Sequence, residues 1–153
     1  MIWIPTISPV RSSLLVWVLA SIAPAQAADD DTQSISVKVG TFRNLKGNLG
    51  CRLFKSADGF PEGSTNTVEI TVKVHAQTEK CEFKGVLAGT YAVSVSHDEN
   101  ENGKLDKNFL GIPTEGYGVS NNHTYAMKSP TWDESKFQVK TGSSCAIEIN
   151  LRY

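Results

Sequence analysis

The sequence predicts an all-β sandwich of about seven strands. Three observations carry that prediction. Apolar residues recur at every second position through most of the chain. The alternating runs are short and are broken by turns rich in glycine, asparagine and serine. No segment keeps a helical period for more than a single turn, the one candidate being Trp132-Asp133-Glu134-Ser135.

Residues 1–27 read as an address and not as part of the fold. Arg11 is their only charged residue, Leu14-Leu15-Val16-Trp17-Val18-Leu19-Ala20 is apolar, and Ala25-Gln26-Ala27 is a small-x-small pattern. That is the order of a secretory signal peptide, so the chain is expected to be exported, with residues 28–153 forming one sandwich domain. The strands then follow in turn. Ile35, Val37 and Val39 alternate with polar partners, and the turn at residues 44–48 leads into Leu49, Cys51 and Leu53. Val68, Ile70, Val72 and Val74 form a third run, and Cys81 with Phe83 a fourth that ends near Leu87. Ala88-Gly89 turns the chain into Tyr91, Val93 and Val95. Phe137 and Val139 come after a long gap, and Thr141-Gly142-Ser143 separates them from Ile147, Ile149 and Leu151.

Composition removes several function classes. With 153 residues and 40% hydrophobic content, the chain holds one domain with a packed core. A net charge of -1 lacks the basic excess of a nucleic-acid binder. No apolar run reaches the roughly 18 residues needed for a transmembrane segment in the mature chain. Of the three cysteines, none lies in a Cys-x-x-Cys or Cys/His cluster, so a zinc site is not indicated. Cys51, Cys81 and Cys145 each fall in phase with an inward-facing set. Two readings stay open: three small buried hydrophobes, or a Cys51–Cys81 disulfide between strands with Cys145 left over.

The stretch Asp98–His123 shows no persistent strand period and is too long for a featureless connection. Phe109, Leu110, Ile112, Tyr117 and Val119 are expected to find cover, so the stretch reads as one long ordered loop. Its first half has calcium-ligand spacing. Asp98, Asn100, Asn102 and Asp106 place side-chain oxygens at alternating positions, Gly103 supplies the turn, and Lys104 offers its carbonyl. Leu105 is expected to pin the loop to the core. The usual bidentate glutamate is replaced by Phe109, and Glu115 is a candidate extra ligand. The alternative is an Asp/Asn/Gly turn held by its own hydrogen bonds. Asp98 or Asp106 with Glu115 also permits a hydrolase reading, although no nucleophile, phosphate-loop or metalloprotease motif accompanies them.

Gly89-Thr90-Tyr91-Ala92-Val93, His97-Asp98-Glu99-Asn100, Asn102-Gly103-Lys104-Leu105-Asp106 and Gly111-Ile112-Pro113 through Ser120-Asn121 together resemble one family of exported bacterial proteins. It is domain of unknown function family 2141, and Leu53-Phe54 and Asp58-Gly59-Phe60-Pro61 are similar to it too. Phe83 to Tyr91 also resembles carboxypeptidase regulatory-type modules. These resemblances imply a periplasmic or extracellular envelope protein with an immunoglobulin-like or transthyretin-like sandwich, and they point away from an enzyme. The expectation is a calcium-stabilised binding or accessory module that presents Tyr117, Asn121, Asn122 and Tyr125 to an envelope protein or a glycan. A purely structural sandwich without metal is the alternative.

Overall fold

The computed structural model describes residue 1, residues 32–123 and residues 128–153. The expected signal peptide, apart from residue 1, and the candidate Tyr125 lie outside the described residues. Among the described residues, eight strands form two packed sheets. In the smaller sheet β1 (Thr32–Gly40) is central, antiparallel to β4 (Thr78–Leu87) and parallel to β8 (Cys145–Asn150). In the larger sheet the order is β3 (Val68–Lys73), β2 (Asn48–Phe54), β5 (Gly89–Asp98) and β6 (Gly116–Val119). β7 (Phe137–Val139) pairs with the first residues of β5. A one-turn helix, α1 (Trp132–Ser135), sits where the sequence places it, closed by a capping box between Thr131 and Glu134. Among the described residues, no helix is long and apolar enough to cross a membrane.

Period-two patterning builds the core between the sheets. Ile35, Val37 and Val39 face Leu49, Cys51 and Leu53, with Cys81, Phe83, Tyr91, Val93, Val95 and Ile149 closing the cluster. The third run is less buried than its pattern suggests, and Val68 is exposed. β3 is an edge strand, paired with β2 on one side and open on the other, so its side chains are less covered than those of the inner strands. Cys51 of β2 and Cys81 of β4 form a disulfide across the two sheets, 30 residues apart in sequence. Cys145 is free and half-buried, and burial pushes its thiol pKa up, which makes it a poor nucleophile.

The sequence-based count of strands is one short. Residues 116–119 form β6, antiparallel to residues 94–97 of β5. Just beyond it, Ser120 is fully buried at an interruption of the ladder. Its Oγ accepts the Val93 N–H at 2.9 Å and donates to the Ser135 carbonyl at 2.6 Å. Val93 lies between the two stretches of β5 that pair with β6 and β7, so one hydroxyl replaces a missing strand bond.

The disulfide closes a 30-residue loop, which constrains the unfolded chain. The double variant Cys51→Ala/Cys81→Ala is expected to lose about 3 kcal/mol of stability. Urea unfolding under non-reducing conditions measures this directly, and a loss well below 1 kcal/mol would contradict it.

Candidate functional site

β5 delivers the chain into the loop from a strand with both faces covered, since every residue from Tyr91 to Asp98 is buried. At its end His97 is wholly enclosed and sits edge-on to Phe42 at 5.0 Å. Its Nε2 lies 2.7 Å from the Lys46 carbonyl, which can only accept, so Nε2 carries the proton. Nδ1 then accepts from the Tyr153 hydroxyl at 2.8 Å, and that hydroxyl in turn accepts the Arg43 backbone N–H. Arg43 stacks over the Tyr153 ring at 4.5 Å and forks onto Glu99 at 2.6 and 3.0 Å. A further N–H from Arg43 reaches the Thr114 carbonyl at 3.1 Å. Burial alone would raise the Glu99 carboxyl. Hydrogen bonds from Arg43 and Asn44 and the charge of Arg43 outweigh it, holding the group below its ordinary value. The root of the loop is thereby tied to both the first turn and the last residues of the domain.

Glu115 closes the loop on itself. It is 5% exposed, and its two carboxylate oxygens accept the backbone N–H groups of Glu99 at 2.9 Å and Asp106 at 3.0 Å. Between those points the acidic segment winds around its own side chains. Asp98 accepts the N–H groups of Asn102 at 3.1 Å and Gly103 at 2.7 Å, and Gly103 turns with φ +76°. Asn100 and Asn102 each accept the N–H two residues on. Their Nδ2 groups then donate to the two oxygens of Asp106, at 2.7 and 3.0 Å. The four residues Asp98, Asn100, Asn102 and Asp106 therefore converge. Lys104 lies on the same turn with its side chain exposed. Among the described residues, no group of three or more His, Cys, Asp or Glu side chains is spaced to hold a metal ion. Any cation here would rest on two carboxylates and two carboxamides.

Beyond Asp106 the chain makes a small hairpin. Thr114 N–H bonds the Asp106 carbonyl at 2.8 Å, Lys107 bridges to Pro113, and Asn108 accepts the N–H groups of Leu110 and Ile112. The expectation that its apolar residues find cover is met for Val119 and in part for Tyr117. It fails at the tip, where Phe109 is 94% exposed and Leu110 is largely exposed too. Asn108 holds the tip by hydrogen bonds, so burial is not needed to fold it. Leu105 does not enter the core; it is half-buried on the outer side of the sheet, on the wall of an open cleft.

That cleft measures about 560 Å³ and runs between the hairpin and the outer face of the larger sheet. Tyr117 lines it. Asn121 and Asn122 are placed elsewhere and fasten the chain, both with positive φ. Asn121 donates to the carbonyls of Glu134 and Lys136, and Asn122 donates to the Glu148 carbonyl and accepts from Asn150 N–H. Sequence reasoning missed the fastening by Ser120, Arg43 and Tyr153, because each acts on residues far away in the chain.

The fold and site together define a small disulfide-linked β-sandwich with a carboxylate-clamped loop beside an open cleft. The chain belongs to the family described as uncharacterized protein conserved in bacteria, DUF2141, whose model matches residues 37–147. That span contains the whole of the loop. No curated protein and no solved structure matches the chain to a significant degree.

Two expectations follow. Glu115→Ala takes the acceptor from the N–H groups of half-buried Glu99 and Asp106, at a cost of about 1 to 2 kcal/mol. Faster hydrogen exchange at the amides of Glu99 and Asp106 is the local readout, and unchanged exchange there would contradict the clamp. Glu99 gives a pH signature. Its folded pKa lies below the ordinary 4.5, so its contribution is present above that value and is lost as pH falls through the folded one. Glu99→Gln is therefore expected to flatten the acid limb of stability measured by urea unfolding from pH 7 downward.

Proposed function

We propose that the chain is an exported binding or accessory module of the bacterial envelope whose loop, residues 98–106, takes calcium. The observation that carries this reading is the convergence of Asn100 and Asn102 on Asp106, with Asp98 wrapped onto the turn at Gly103. The carboxamide N–H groups stand where a cation would balance Asp106. Turning each carboxamide over would bring its oxygen toward Asp106 and present the oxygen-rich concavity that calcium selects, at the loss of the bonds these oxygens accept from the Asn102 and Lys104 N–H groups, which the ion must offset. With only two carboxylates facing it, the site belongs to the weak class of extracellular modules, with Kd of order 10⁻⁴ to 10⁻³ M. Glu115 acts as the clamp that preshapes the loop. Export is supported by the Cys51–Cys81 disulfide, a bond characteristic of oxidising compartments. The expected partner is an envelope protein or a glycan, met through the surface around Tyr117. A binding role is favoured over a hydrolase because Glu115, the most enclosed carboxylate of the loop, has both oxygens engaged by backbone N–H groups.

Thermal unfolding in excess EDTA and again in millimolar calcium tests the reading. Binding to the native state alone stabilises by RT ln(1 + [L]/Kd), about 2.7 kcal/mol at a hundredfold excess over Kd. The midpoint is expected to rise with calcium, and Asp106→Asn to abolish that rise. A midpoint indifferent to calcium up to ten millimolar would leave the loop a self-bonded structural cap.

A further inference from the structure

The cleft beside the loop is floored by the outer face of the larger sheet. Val95 and Cys51 point into the core, so strand alternation turns Ser94, Ser96 and Arg52 outward, with Tyr117 opposite Ser96 in the ladder. Ser94 is engaged: its hydroxyl donates to the Pro61 carbonyl at 2.8 Å. Ser96 is not. It is 6% exposed, lines the cleft, and its hydroxyl has no hydrogen-bond partner among the described residues. Gly50 stands opposite it, and a Cβ there would come within 3.1 Å of the Ser96 Oγ. Arg52 is diagonal to Ser96 on the same face. Its side chain is 17% exposed and is ion-paired with Glu69 through one N–H at 2.9 Å, with no other hydrogen bond from its guanidinium among the described residues.

Neither group is sealed from solvent, since neither Ser96 Oγ nor an Arg52 nitrogen is a fully buried atom without a partner, so an acceptor on a ligand would replace water at the floor of the cleft. The rim agrees in sign. Lys104 and Lys107 stand on the hairpin wall, the latter paired with Glu62 of the opposite wall, and Lys104 has no ion-pair partner among the described residues. The remaining walls are largely apolar, from Pro61, Leu105, Leu110, Ile112 and Pro113. A volume of about 560 Å³ falls within the range of small-molecule sites.

We infer that this cleft binds a small amphipathic carboxylate, its head on Arg52 and Ser96 and its apolar body along the hairpin wall. The inference rests on the binding-module half of the proposed function and is independent of calcium. Carboxylate recognition by a planar guanidinium plus a hydroxyl is charge-assisted and directional, so the head should dominate selectivity over an uncharged analogue.

Dansyl-labelled undecanoate is the probe, followed by fluorescence on the purified protein in EDTA and again in calcium. Saturable binding is expected, displaced by dodecanoate at least about tenfold better than by dodecanol or acetate. Arg52→Gln is expected to weaken binding about tenfold and Ser96→Ala severalfold. Lys104→Gln, at an exposed position that the fold does not use, is expected to weaken it severalfold and guards against variants that fail by unfolding. Equal displacement by dodecanol, indifference to all three variants, or no saturable binding would each overturn the inference. The two readings separate cleanly. Binding retained in EDTA without a calcium-dependent midpoint sinks the calcium site alone, and a calcium-dependent midpoint without dodecanoate binding sinks this one alone.

Discussion

β5 has no free face, and the rest of the architecture answers that constraint. From Tyr91 to Asp98 each residue is buried, alternately toward the disulfide-linked core and toward the outer side of the sheet. A strand that carries Ser94, Ser96, His97 and Asp98 in such a position needs partners for its polar groups, because an unpaired buried one is costly. Most are supplied. Pro61 takes Ser94, Lys46 and Tyr153 take His97, and the turn at Gly103 takes Asp98. The long excursion after β5 is thus a cover for that outer face, and Ser96 is the place where the cover stops short.

The stability of the loop comes from backbone satisfaction more than from apolar burial. Glu115 and Asp98 each accept two N–H groups, and Asn108 secures the hairpin in the same manner. Such acceptors fix a loop without an apolar core of its own, which is how Phe109 and Leu110 remain outside. The Arg43–Glu99 fork transmits the same restraint to Tyr153, whose ring fills the space left by Gly116: a Cβ there would lie 2.6 Å from the ring. The loop, the first turn and the last residue are consequently one mechanical unit.

The sandwich was legible because its signal is local. Ile35, Val37 and Val39, or Leu49, Cys51 and Leu53, show their facing by alternation alone, and the same phase turned all three cysteines inward while leaving open whether Cys51 and Cys81 are bonded, as they are. β6 was not legible, since Gly116 and Gly118 remove half of its alternation. The winding of Asp98 to Asp106 could be read from the spacing of Asp and Asn around Gly103. The use of Glu115 could not: a carboxylate near an acidic loop looks like a ligand from sequence, while its bonds to Glu99 and Asp106 depend on the fold. Likewise the cleft arises from residues of β2, β5, β6 and the hairpin that no linear pattern joins.

The parallel pairing of β1 with β8 sets the order in which the molecule can be completed. Ile35 lies opposite Cys145 and Gly40 opposite Asn150, so the central strand of the smaller sheet can pair with β4 early but lacks its second neighbour until about 110 further residues exist. Connections of that span raise the contact order and slow folding. One edge of strand β1, with its unpaired backbone N–H and C=O groups, therefore stays open until β8 is made, and such edges pair readily with other chains.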